Sequence, residues 1–212
     1  MDQLLRHAVE HGVPIAFTQV IDKEERDEAI LYVTHTFTHK EAEFNHTELS
    51  DEVQAGHVTV FPLEKVAFLK NLWLSPVAVI PKVVRRPRLI YDFTWSGLNE
   101  TTKSLVPIDA MCIGSALQRT LKRVLTADLH LGKFYLSKVN LADVYMRLGV
   151  IIEDIPSISF LIPSSITSEK QLVGFHLSLS MGYIASTPYF CMAVETVTDF
   201  ANDTIAQREQ AG

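Results

Sequence analysis

Two β-branched runs, Val77 to Ile80 and Arg88 to Phe93, flank a turn that contains Pro87 and is dense in positive charge. Alternating β-branched residues on either side of a short polar turn favour an antiparallel pair. The pattern therefore predicts a β-hairpin. Lys82, Arg85, Arg86 and Arg88 fall within the turn and its edges, so the tip of the hairpin should be cationic. A plain solvated surface is the alternative use of such a cluster.

The rest of the chain supplies enough apolar residue to bury around that hairpin. It has 212 residues, 47% hydrophobic and 21% charged, which suits one globular core or two small ones rather than a disordered chain. The net charge of −6 is awkward for a nucleic-acid binder, which usually carries a basic face. Its distribution is uneven, however. Asp22, Glu24, Glu25, Asp27, Glu28, Glu41, Glu43, Glu48, Asp51 and Glu52 crowd the first third, while basic residues cluster later, with Arg119, Lys122 and Arg123 on one helical face.

Periodicity predicts helices over 1–12, 22–31, 40–55 and 114–126. In the third, Ala42, Leu49 and Val53 are the apolar positions. In the fourth, Leu117, Leu121, Val124 and Leu125 are. Strands are expected around Val58 to Phe61, over 134–140, and at 157–163 and 171–176 around a polar loop at 164–170. Cys112 and Cys191 are too few and too far apart for a disulfide scaffold or zinc knuckle. His35, His39 and Glu43 have a zinc-like spacing, but surface histidines explain them more simply. His176 reads as a packed or surface histidine. No basic-then-apolar leader opens the chain, and no run of about 18 apolar residues occurs. An intracellular location is expected, cytoplasm or nucleus unspecified, with the Asn45, Asn99 and Asn202 triplets left unglycosylated.

Three blocks carry a resemblance. The first is Ser75-Pro-Val-Ala-Val-Ile-Pro-Lys82, a loop, Arg88-Leu-Ile-Tyr-Asp92 and Leu98-Asn99. The second is Tyr135-Leu-Ser-Lys-Val-Asn-Leu-Ala-Asp-Val-Tyr-Met-Arg147. The third is Leu179-Ser-Met-Gly182 through Pro188 and Phe190. In this order they resemble the fingers hairpin and the first and second palm motifs of retroelement reverse transcriptases, gypsy-like LTR or DIRS-like. The resemblance implies an α+β fold: a small antiparallel palm sheet with packed helices, plus fingers carrying a hairpin. It divides the chain into an N-terminal helical extension (1–39) and a partial reverse transcriptase domain (40–212). Fingers would occupy 40–133 and 151–178, and palm 134–150 and 179–212.

The implied activity is RNA-directed DNA polymerisation on an RNA or DNA primer–template with dNTPs and Mg2+. Lys82 and Arg88 would fold over the triphosphate. Asp143, Val144, Tyr145, Met181 and Gly182 would complete the nucleotide site, Tyr145 being the aromatic floor that disfavours a ribose 2′-hydroxyl. One departure decides the expected state of the chain. Where the family has the strand-end Asp that holds two magnesium ions, this sequence has Asn140. Two-metal transfer needs ions roughly 3.5–4 Å apart, held by carboxylates, and an amide offers one neutral oxygen. The loss should cost about a thousandfold or more. The family's Tyr-x-Asp-Asp motif is not reached by Gly212, and Asp-Asp occurs nowhere. The expectation is a truncated, catalytically inactive fragment that does not bind Mg2+. The alternative is a non-enzymatic remnant that binds nucleic acid, or binds a protein through its acidic N-terminal helices.

Overall fold

The structure, a computed structural model, describes residues 2–19, 24, 27–28, 42–82, 86–107, 111, 113–128, 130, 132, 141–163 and 170–211. It is a mixed α+β fold with small sheets and several helices. Asn140, His35, His39, Cys112, nearly all of the helix expected over 22–31 and the strand expected over 134–140 lie outside the described residues.

Helix α1 (Asp2–His11) stops at Gly12, as its apolar spacing predicts. The chain then enters the shared core. The Val13 N–H donates to the Gly149 carbonyl at 2.7 Å, and the Ile151 N–H donates to the Val13 carbonyl at 3.1 Å. Strand β1 (Ala16–Phe17) pairs antiparallel with β6 (Thr102–Lys103). Ala8, Val13 and Ile15 are buried in one apolar cluster with Leu179, Tyr189 and Met192 from the far end of the chain.

Helix α2 (Ala42–Gln54) forms where expected, but its buried stripe differs. Asn45 and Leu49 are buried, Glu48 and Glu52 are half-buried, and Val53 is exposed. The helix turns its acidic side inward because the hairpin described below offers it a cation and a phenol. Strand β2 (Val58–Pro62) follows, then a single helical turn, α3 (Leu63–Val66).

The central sheet has the order β2-β8-β7-β3, with β3 (Leu74–Ser75), β7 (Ser159–Ile162) and β8 (Leu172–His176). Only the β3–β7 pair is parallel. The period-2 alternation of a strand sorts its side chains onto two cores. Phe160 and Ile162 of β7 pack with Val58, Tyr91, Phe93 and Leu179 on one face. Leu161 of β7 packs with Leu72, Leu74, Val173 and Phe175 on the other. Each fully buried apolar side chain stabilises by about 1.5–3 kcal/mol.

Strands β4 (Val77–Ile80) and β5 (Arg88–Tyr91) form the expected hairpin, in register from Val77↔Tyr91 to Ile80↔Arg88. The second strand ends at Tyr91 rather than Phe93. Asp92 captures the chain there: its carboxylate accepts the Trp95 N–H at 2.9 Å and its carbonyl accepts the Ser96 N–H at 3.2 Å. A short helix, α4 (Leu98–Thr101), follows.

Helix α5 (Ile113–Leu125) has the expected span, yet Leu121 and Leu125 are 52% and 83% exposed, so the apolar stripe is not buried at those positions. A 3-10 turn (Tyr145–Arg147) ends the second block, and a longer one (Ile152–Ile158) leads into β7. Helix α6 (Ser186–Ala211) starts just before Pro188 and includes Phe190. No helix among the described residues is long and apolar enough to cross a membrane.

Candidate functional site

The first-motif turn and the third block, far apart in sequence, are stitched side by side. The Val150 N–H donates to the Leu177 carbonyl at 3.0 Å, and the Leu179 N–H donates to the Leu148 carbonyl at 2.8 Å. Gly149 and Ser178 sit opposite each other as an antiparallel bridge. This short ladder brings residues 141–147 against residues 179–190.

Between them lies a cleft of about 230 Å³, walled by Leu141, Asp143, Val144, Tyr145, Met146 and Met181. Four of the residues expected at the nucleotide site, Asp143, Val144, Tyr145 and Met181, therefore share one wall set. Gly182 adjoins it through Met181. Lys82 and Arg88 are not among the described wall residues; Arg88 opens β5 of the separate β4–β5 sheet and is exposed, while Lys82 follows the end of β4 and is half-buried. Asn140 lies outside the described residues, so the structure gives it no place.

Local geometry explains how the walls are held. Asp143 has φ 51°, the single positive value of a non-glycine residue among the described residues. That left-handed conformation costs roughly 1–2 kcal/mol, least for Asp and Asn. It reverses the chain so that Val144 and Tyr145 turn inward. The Arg147 guanidinium closes the turn by donating from Nε to the Ala142 carbonyl at 3.2 Å. Tyr145 is anchored to α6: its hydroxyl lies 3.2 Å from Thr187 Oγ1, and its ring meets Phe190 edge-on at 5.8 Å.

The opposite wall is set by Asn99. Its side-chain amide donates to the Gly182 carbonyl at 2.9 Å, while its amide oxygen accepts the Ile184 N–H at 2.9 Å. The Ser186 hydroxyl donates to the Ser180 carbonyl at 2.7 Å, closing the same turn from the helix side. Gly182 has φ 97°, and a Cβ there would lie 3.2 Å from the Tyr91 carbonyl oxygen. Glycine is needed at this point for both reasons.

Sequence reading placed Asn99 at the structural end of the hairpin block but did not show its grip on the third block. It also missed Thr187 and Leu141. A Leu-Asn pair carries no hint of a partner more than eighty residues away; only the closed fold reveals one.

Behind the cleft, His176 is fully buried, with its ring 4.3 Å from that of Tyr91 and 4.9 Å from that of Phe160. Burial drops its pKa from the ordinary 6.5 to about 3. It is a neutral packing residue, and Nε2 finds no hydrogen-bond partner. Tyr91 donates its hydroxyl to Glu52 Oε2 at 2.7 Å. Burial raises the Glu52 pKa, opposed by that hydrogen bond and by His57. Burial, followed by the negative field of Glu52, raises the Tyr91 phenol.

The cleft can take an apolar or aromatic group against Tyr145 and the methionines, with Asp143 as the one charged residue among the described walls. A pair of magnesium ions would need more oxygen ligands than its described wall residues supply. Hard cations of this kind are held by several oxygen ligands, and among the described wall residues only one carboxylate is present. No group of three or more His, Cys, Asp and Glu side chains poised for a metal occurs among the described residues. No family model matches this sequence, and neither does any curated protein.

Proposed function

We propose that this chain derives from the fingers and palm of a retroelement reverse transcriptase, keeps a nucleic-acid-binding surface, and does not polymerise by itself. One observation supports the reading above the others. Asp143, Val144 and Tyr145 from the second block and Met181 from the third, residues chosen from sequence resemblance alone, line one cleft. A chance resemblance in scattered turns has no reason to converge in space.

The chemistry of the wall supports the inactive half of the proposal. A polymerase site of this kind works by placing two metal ions on the attacking and leaving oxygens. Asn140 supplies no carboxylate, and Asp143 is the one carboxylate among the described wall residues. What remains is recognition. Tyr145 offers a ring face for stacking, worth about 1–3 kcal/mol per base, and the hairpin carries Lys82, Arg86 and Arg88 for phosphates.

Two measurements test this. Primer extension on an annealed RNA template with Mg2+ and dNTPs should give no product above background; template-dependent synthesis by this chain refutes the inactive assignment. Fluorescence anisotropy with the same primer–template should show weak binding that falls steeply with salt, the mark of phosphate contacts. Absence of binding at low salt, or binding indifferent to salt, removes the nucleic-acid reading.

A further inference from the structure

Arg86, just ahead of the hairpin's second strand, has a partner across from it. It faces helix α2. Arg86 forms an ion pair with Glu48, and Asp51 Oδ2 lies 3.8 Å from its Nη2. The guanidinium carbon stands 5.9 Å from the centre of the Phe44 ring. Phe44, Glu48 and Asp51 are spaced four and three residues apart, so they form one face of α2. Next to Asp51, Glu52 takes the Tyr91 hydroxyl at the other end of β5. One helix thus grips the hairpin at both ends of its second strand.

A guanidinium presents a planar fork that suits a carboxylate or a phosphate in the same way. A phosphate approaching Arg86 would therefore seek the place that Glu48 holds, in the field of two carboxylates. The contact is not sealed. The Arg86 side chain is 63% exposed and that of Asp51 66%, so an incoming strand can reach both. The unfavourable net charge of −6 has a local counterpart here.

We infer that α2 is an internal competitor of nucleic-acid phosphate: the Glu48 and Asp51 carboxylates occupy Arg86 in the free protein and hold down the affinity of the hairpin for a polyanionic strand. The inference rests on the nucleic-acid reading above and adds a regulatory element to it. Anything that draws the two carboxylates away, whether neutralisation, a cationic partner or a shift of α2, unmasks the cation.

The test compares the whole chain with Glu48→Gln/Asp51→Asn, using a fluorescein-labelled oligothymidylate and, as a competitor, inorganic tripolyphosphate. At low ionic strength the variant should bind the strand roughly three- to tenfold tighter, with the gap closing as salt rises. Adding Arg86→Ala to the same variant should abolish the gain. Glu10→Gln/Glu153→Gln removes the same charge from other elements and serves as the reference. An equal gain in that reference reduces the effect to net charge and overturns the inference. An unchanged affinity in Glu48→Gln/Asp51→Asn overturns it too, while leaving the nucleic-acid reading intact. No binding by any of the proteins removes that reading and the inference together. Displacement of the strand by tripolyphosphate at equal phosphate concentration would assign the site to a free triphosphate rather than a strand, and overturn the nucleic-acid form of the inference. Asp51→Asn alone, a change at an exposed side chain, should move affinity in the same direction and covers the case in which the double variant folds poorly.

Discussion

Asn99 holds Gly182 by its carbonyl and Ile184 by its N–H, both at 2.9 Å, so one amide side chain joins the end of the hairpin block to the turn that carries Met181. The two bonds use opposite ends of the amide, a donor and an acceptor. No other side chain of that length supplies both in the same geometry except by rearrangement.

Replacing Asn99 with Ala should cost about 1 kcal/mol, since both bonds are partly solvated. For a chain of this size that is a loss of roughly 2–4 °C in the thermal midpoint. Asn99→Asp should be no better than Ala. It keeps an acceptor for Ile184 but sets a carboxylate against the Gly182 carbonyl. A melt in which Asp matches the native residue would show that the donor half of the clamp is idle.

Gly182→Ala should destabilise by about 1–2 kcal/mol through its left-handed backbone alone. The close approach of the new Cβ to the Tyr91 oxygen, 3.2 Å, adds to that. Gly174→Ala should be worse, because its Cβ would clash with the outer ring carbons of buried Phe160, and overpacking of that kind costs about 1–3 kcal/mol or more. Urea midpoints at constant slope would rank the two; a neutral Gly174→Ala contradicts the packing described.

His176 makes stability depend on pH. Its folded pKa, about 3, lies below the ordinary 6.5, so between those values the unfolded chain binds more protons than the folded one. Stability from this group is therefore whole above pH 6.5 and drains away as pH falls toward 3. His176→Phe, which suits the surrounding rings, should flatten that limb by up to one proton, about 1.4 kcal/mol per pH unit. Glu52 acts in the opposite sense. Its raised pKa contributes stability at low pH that is lost as pH climbs through the folded value. Unfolding free energies at several pH values, native against variant, separate the two.

Tyr91→Phe should remove the hydroxyl that Glu52 accepts and leave a half-buried carboxylate without that donor. A loss of about 1–3 kcal/mol is expected, together with a further rise in the Glu52 pKa. The double variant Tyr91→Phe/Glu52→Gln should recover part of it. A cycle showing no coupling between the two positions would sink this account of the α2–hairpin contact.

The hairpin, helices α1, α2 and α5, and strands β2, β7 and β8 were legible in the chain because each is written in local period. Residue spacing alone separates Val77-Ala-Val-Ile from Ile113–Leu125. The inward face of α2 was not legible. Apolar counting favours Val53, whereas the fold buries Asn45 and half-buries Glu48 and Glu52, since a cation and a phenol wait on the other side. The ends of elements were also beyond it: β5 stops at Tyr91 because the Asp92 carboxylate takes the next turn, a choice made by one hydrogen bond.

Local chemistry in the chain settles which groups are available: an amide at Asn140, a glycine at 182, a cationic hairpin. Position is another matter. Asp143, Tyr145 and Met181 meet at one cleft, while Arg88 stands on a different sheet, Lys82 lies just past β4 and Arg86 is held by acids from α2. Those outcomes depend on contacts between segments separated by dozens of residues. Such contacts are selected by the joint packing of two cores and by long-range hydrogen bonds, and no short window of sequence contains both partners.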